Sequence, residues 1–142
     1  MLFSHKSEQS CTVSEAAAVK FIMQHGFHVA EFIGRDTVSD FHFFLDGKVQ
    51  WVQVKTISKG SNSLVKRTNR SSSKVGGPNS KTRNSVCYAE QGIHWLLGYH
   101  VDEDKIYAYH IDAYSKIPSK YSFSVKRYHP CEFPFKEIKS HI

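Results

Sequence analysis

Four residues have the types and the spacing to do chemistry together: Glu15, Asp40, Gln53 and Lys55. Asp40 heads the run Phe41-His42-Phe43-Phe44-Leu45, Asp46-Gly47 reverses the chain, and Lys48-Val49-Gln50-Trp51-Val52-Gln53-Val54-Lys55 returns beside it. Asp-Gly between two apolar runs is a strong signal for a two-residue hairpin. Side chains two apart on a strand share a face, so Gln53 and Lys55 point one way and Val52 and Val54 the other. Such a hairpin gathers a carboxylate, an amide and an ammonium around one small volume. A divalent cation held by the oxygens, with a lysine beside it, is the equipment of phosphodiester hydrolysis. Singly, each residue has a plainer reading. A strand lysine usually faces solvent, and Asp36, like Asp46, is most simply a turn residue. The agreement of helix, strand head, turn and strand face carries the sharper reading.

The elements that must position these residues are legible around them. Residues 14 to 26, Ser-Glu-Ala-Ala-Ala-Val-Lys-Phe-Ile-Met-Gln-His-Gly, read as a helix with Ser14 or Thr12 as N-cap and Gly26 as its stop. Ala18, Phe21 and Ile22 recur at helical spacing and predict its core-facing stripe, with Glu15 one turn before Ala18. A strand is expected over 27–32, a turn over 34–39, and the hairpin thereafter. Residues 56–86 are rich in Ser, Asn, Gly and basic residues and predict a long, mobile loop with a strand-like piece at Leu64-Val65. Residues 92–101 and 105–111 read as a second hairpin. A short helix over 111–117 ended by Pro118, a strand over 122–128 and an irregular aromatic tail complete an α+β plan with a mixed central sheet.

Charge is placed as unevenly as the secondary structure is regular. The net charge is +6, from 19 basic and 13 acidic residues. Lys59, Lys66, Arg67, Arg70, Lys74, Lys81 and Arg83 all fall in 56–86, which holds no acid; without these seven, 12 basic residues face 13 acidic ones. All of the excess lies directly after Lys55, where it draws a polyanion to the candidate site. The cysteines Cys11, Cys87 and Cys131 are odd in number and without C-x-x-C pairing, which argues against a disulfide framework or zinc site and for a reducing compartment. The nine histidines show no metal-ligand spacing, and Trp51, Trp95, Tyr107 and Tyr109 sit among aliphatics as core residues do. No apolar run reaches the roughly 20 residues of a membrane span, and residues 1–6 lack the apolar core of a signal peptide, so a soluble, cytoplasmic protein is expected. At 142 residues a single domain is expected, large enough to bury roughly two-thirds of its unfolded surface.

Over its first 60 or so residues the chain resembles the PD-(D/E)-x-K nuclease superfamily, and within it the short homing endonucleases of group I introns, whose third motif reads Q-x-K as Gln53-Val54-Lys55 does here. The resemblance implies a PD-(D/E)-x-K core with the basic loop inserted into it. It also implies a Mg²⁺-dependent, sequence-specific DNA endonuclease, with Mn²⁺ able to substitute. Carried onto this sequence, it makes Glu15, Asp40, Gln53 and Lys55 catalytic. It makes Asp40, Gln53, the Val54 carbonyl and Glu15 the metal ligands, and Lys55 the group that orients water and stabilises the phosphate. The seven basic residues of the loop become DNA contacts, with Arg67, Arg70 and Arg83 reading bases and the lysines on phosphates. One such site cuts one strand, so a homo-oligomer, dimer or tetramer, is expected. Most of the superfamily places Asp or Glu where Gln53 stands. Two rivals follow: a structure-selective nuclease of the Holliday-junction-resolvase kind, and a DNA-binding module that cuts nothing.

Overall fold

The computed structural model describes residues 6–31, 39–68, 86–131 and 133. Helix α1 runs Lys6–Gln24, and so begins well before either predicted cap, Thr12 or Ser14. Ser14 lies inside it, and its hydroxyl meets Thr56 Oγ1 at 2.5 Å instead of capping the helix. Gly26 ends it as expected, in the left-handed region at φ +90° with its N–H on the Met23 carbonyl. Ala18 and Ile22, one turn apart, are fully buried against Phe41, Phe43, Leu45, Val52, Val54, Trp95 and Leu97. Burying a side chain such as Ile22 contributes about 1.5–3 kcal/mol, which holds the helix on the sheet.

That sheet has five strands in the order β1-β2-β3-β5-β6: β1 Val29–Glu31, β2 Phe41–Leu45, β3 Lys48–Ile57, β5 Trp95–His100 and β6 Lys105–His110. It is mixed, because β3 and β5 are parallel while all other neighbours are antiparallel. The fold is α+β with helices flanking this sheet. Asp46 (φ 53°) and Gly47 (φ 81°) both take the left-handed conformation that a tight hairpin between right-twisted strands demands. β2 pairs with β3 from Phe41↔Val52 to Leu45↔Lys48.

The second face of the sheet is covered by a small antiparallel pair, β4 Ser63–Val65 with β7 Ser122–Ser124, by a 3₁₀ turn at Tyr88–Gln91 and by the short helix α2, Ile111–Tyr114. Ile57, Leu64, Leu96, Tyr109, Tyr114 and Phe123 form its core. Gly98 on β5 lets β4 settle, since a Cβ there would stand 2.9 Å from both Ile57 Cδ1 and Leu64 Cδ1. The loop expected over 56–86 is therefore shorter than predicted. β3 continues to Ile57, Leu64 is wholly buried, and the chain re-enters at 86–88 paired with 66–68 through Thr68 N–H to Val86 O (2.8 Å) and Tyr88 N–H to Lys66 O (3.0 Å). Residues 69–85, with Arg70, Lys74, Lys81 and Arg83, lie outside the described residues, as does all but Ser39 of the turn expected over 34–39. Among the described residues no helix is long and apolar enough to cross a membrane.

Candidate active site at the end of strand β2

β3 is twice the length of β2 and outruns it, so the ladder between them stops at Phe41↔Val52 while β3 continues. Past that point the backbone groups of Val54 have no residue of β2 opposite them. Asp40 fills the gap from the strand head. Its own N–H bonds the Val52 carbonyl at 2.8 Å, and its carboxylate turns back to accept the Val54 N–H at 2.8 Å through Oδ2. A side chain thus takes the place of the missing strand, and a carboxylate is pinned in the plane of the sheet at a notch in its edge.

Gln53, opposite Asp40, donates through Nε2 to the same Asp40 Oδ2 (3.1 Å) and to the Val54 carbonyl (3.2 Å). The Gln53 amide nitrogen therefore bridges two other predicted ligand groups, the Asp40 carboxylate and the Val54 carbonyl. Lys55, two residues on and half-buried, places its ammonium over the Tyr88 ring, 5.7 Å from the centroid. Glu15 sits exposed on α1 next to Ser14, whose hydroxyl joins the helix to Thr56 beside Lys55.

The electrostatics register this gathering. Burial pushes the Asp40 carboxyl up, the Val54 N–H offsets part of that, Glu15 raises it further and Lys55 lowers it, leaving it at about 6. A half-buried acid within the field of a second acid and of a lysine is an arrangement that perturbs pKa values at reactive sites. Among the described residues no group of three or more His, Cys, Asp or Glu could hold a metal. What the notch offers is oxygen: the Asp40 carboxylate, with Glu15 acting on it through its charge, the Val54 carbonyl, and the Gln53 amide, which presents a donor or an acceptor according to its χ3. That set suits a hard cation such as Mg²⁺ and not a soft one.

The basic residues divide. Lys59 is exposed in the turn after β3, where Gly60 N–H bonds Asp102 Oδ2. Arg67 is half-buried and reaches the Lys120 carbonyl through Nη1 at 3.4 Å. Lys66 corrects the sequence reading. It is 4% exposed, and its ammonium bonds the carbonyls of Ile117 (2.6 Å) and Tyr114 (3.3 Å), so it caps the end of α2 instead of facing a polyanion. Burial accordingly lowers its pKa.

Three histidines in or beside the central sheet, which show no metal-ligand spacing, serve the backbone instead. His94, His100 and His110 accept backbone N–H groups of Trp51, Glu103 and Asp112 through Nδ1. Trp95, Tyr107 and Tyr109 are buried in the two cores, with Trp51 packed at the edge of one. Cys87 and Cys131 form no disulfide among the described residues, and the Cys131 Sγ accepts the His110 N–H. Tyr88 was not singled out from sequence; an aromatic just past a basic run carries no local signal of what it faces.

No family model matches the chain, and no curated protein matches it. Among solved structures, the fold is similar to that of a bacterial homing endonuclease, I-Ssp6803I, with a TM-score of 0.64 over 95% of this chain and 88% of that one, at 17% sequence identity.

Proposed function

We propose that the chain is a Mg²⁺-dependent DNA endonuclease of the PD-(D/E)-x-K type, acting at Asp40, Glu15, Gln53 and Lys55. The observation that carries it is the notch itself: a desolvated carboxylate bonded to the Val54 N–H and the Gln53 amide, with a lysine on the next position of the same strand face. The similarity in fold to a homing endonuclease supports the same reading and makes site-specific cleavage of duplex DNA its leading form.

Asp40, Glu15 and the Val54 carbonyl would hold the cation, with Gln53 as a neutral fourth donor. When bound, it supplies charge neutralisation at the phosphate and lowers the pKa of water. Lys55 orients the attacking water and stabilises negative charge on the scissile phosphate. Gln53 keeps the Asp40 carboxylate turned into the notch. Lys59 and the basic residues of 69–85 bring the DNA backbone to the site, and cutting both strands takes two copies of the chain. A non-catalytic DNA-binding module is the second reading. It is favoured by the neutral Gln53 and by the absence of a three-acid cluster among the described residues.

Incubating the chain with Mg²⁺ and pooled long linear DNAs, alongside a four-way junction, separates these readings. Discrete cuts in linear DNA support the proposal. Cuts confined to the junction indicate a structure-selective nuclease, and retention without cutting indicates the binding module. Replacing 69–85 with a short Gly-Ser bridge is structurally permitted, because Thr68 and Val86 already share a hydrogen bond. Loss of Arg70, Lys74, Lys81 and Arg83 should flatten the log-log salt slope of DNA binding by roughly 3 to 4 units, and an unchanged slope would place the footprint elsewhere.

A further inference from the structure

We infer that Tyr88 is a positioning residue whose ring fixes where the Lys55 ammonium stands beside the Asp40 notch; this rests on the nuclease reading above. Lys55 Nζ lies 5.7 Å from the ring centroid, within the roughly 6 Å over which a ring face attracts a cation. The ring is 3% exposed, and such contacts strengthen when water is excluded. A lysine has a flexible four-carbon stem that spreads its charge over many positions. A ring that cannot move narrows them.

Tyr88 is held to that task from both sides. Its N–H bonds the Lys66 carbonyl at 3.0 Å, and its carbonyl accepts the Ile93 N–H at 3.1 Å and the Gly92 N–H at the end of the 3₁₀ turn. Lys66 in turn is buried and bonded to the end of α2, so the ring is referenced to the core and not to a surface loop. Burial, and after it the Asp40 charge, push the Tyr88 phenol up, which keeps the ring neutral and places it within the field of the notch. The segment 86–88 that carries the ring is the one paired with 66–68, where the basic stretch rejoins the fold.

The test compares Tyr88→Phe, which keeps the ring, with Tyr88→Leu, which removes it. Single-turnover cleavage is measured in Mg²⁺ and DNA affinity in Ca²⁺. Tyr88→Leu should slow cleavage about tenfold, equivalent to about 1.4 kcal/mol, with affinity unchanged, while Tyr88→Phe stays within about twofold of wild type. Equal losses in both variants, or normal cleavage by Tyr88→Leu, would overturn the role.

A second readout needs no cleavage. In protein whose lysines carry ¹³C-methyl groups, the Lys55 resonance, assigned by its absence in Lys55→Arg, should be shifted upfield by the ring current and lose that shift in Tyr88→Leu. An unshifted resonance in wild type overturns the inference even if the leucine variant fails to fold. Wild type that cuts no DNA removes the nuclease reading and this role together, whereas normal cutting by Tyr88→Leu removes the role alone.

Discussion

Two carboxylates of the same sheet, Asp40 at the head of β2 and Glu103 in the turn after β5, are treated in opposite ways. Glu103, in the turn between β5 and β6, accepts the Tyr107 hydroxyl at 2.5 Å and the Lys126 ammonium, with Lys105 at 3.8 Å. The Lys126 bond, then the Tyr107 bond, draw its pKa down to about 2. Asp40 is instead half-buried within the field of Glu15, and burial, the larger cause, leaves its pKa at about 6. The Lys126 ammonium bonds the Glu103 carboxylate; the Lys55 ammonium stands over the Tyr88 ring and acts on Asp40 through its charge. A paired acid serves the fold; a carboxylate whose pKa is raised by partial burial and a second acid is held at some cost to stability.

The contrast breaks if the two acids respond alike to neutralisation. Asp40 has a folded pKa above its ordinary value, so its contribution is present below about 3.8 and lost as the pH rises through about 6; ionised at pH 7, it opposes folding. Asp40→Asn keeps an oxygen for the Val54 N–H and should raise stability by about 1 kcal/mol or more in metal-free buffer at pH 7, read from a denaturant midpoint. A fall in the midpoint would mean that the carboxylate is structural. A smaller effect of opposite sign is expected at Glu103. Its folded pKa lies below the usual 4.5, so its contribution is present above that value and lost as the pH falls through about 2. Glu103→Gln should therefore lower the midpoint slightly at pH 7 and flatten its decline in acid. Lys126→Ala should do the same, and only weakly, because solvent screens an exposed ion pair. Loss of DNA cleavage in Lys126→Ala would blur the division between the two clusters.

Much of the notch was legible because its signals are local. Asp46-Gly47 set the register, the two-residue period put Gln53 and Lys55 on one face, and Gly26 marked the end of α1. What failed depends on distant partners. Ser14 reads as a cap until Thr56 is brought to it, and α1 accordingly starts at Lys6. Lys66 reads as one of a basic run until the carbonyls of Tyr114 and Ile117, far along the chain, enclose it. The parallel pairing of β3 with β5 joins strands separated by the whole basic segment, and no local pattern announces it. Tyr88 was missed for the same reason, since its significance comes from Lys55 and not from its neighbours in sequence.

The central claim is that the Asp40 notch, and not the equally polar Glu103 cluster, is where DNA is cut. The direct measurement is single-turnover cleavage in Mg²⁺ by wild type, Asp40→Asn and Glu103→Gln, with DNA affinity for each determined in Ca²⁺. Wild type and Glu103→Gln should cleave at similar rates, and Asp40→Asn should be slower by roughly 10² to 10³-fold or more with affinity preserved or improved. Near-normal cleavage by Asp40→Asn would contradict it.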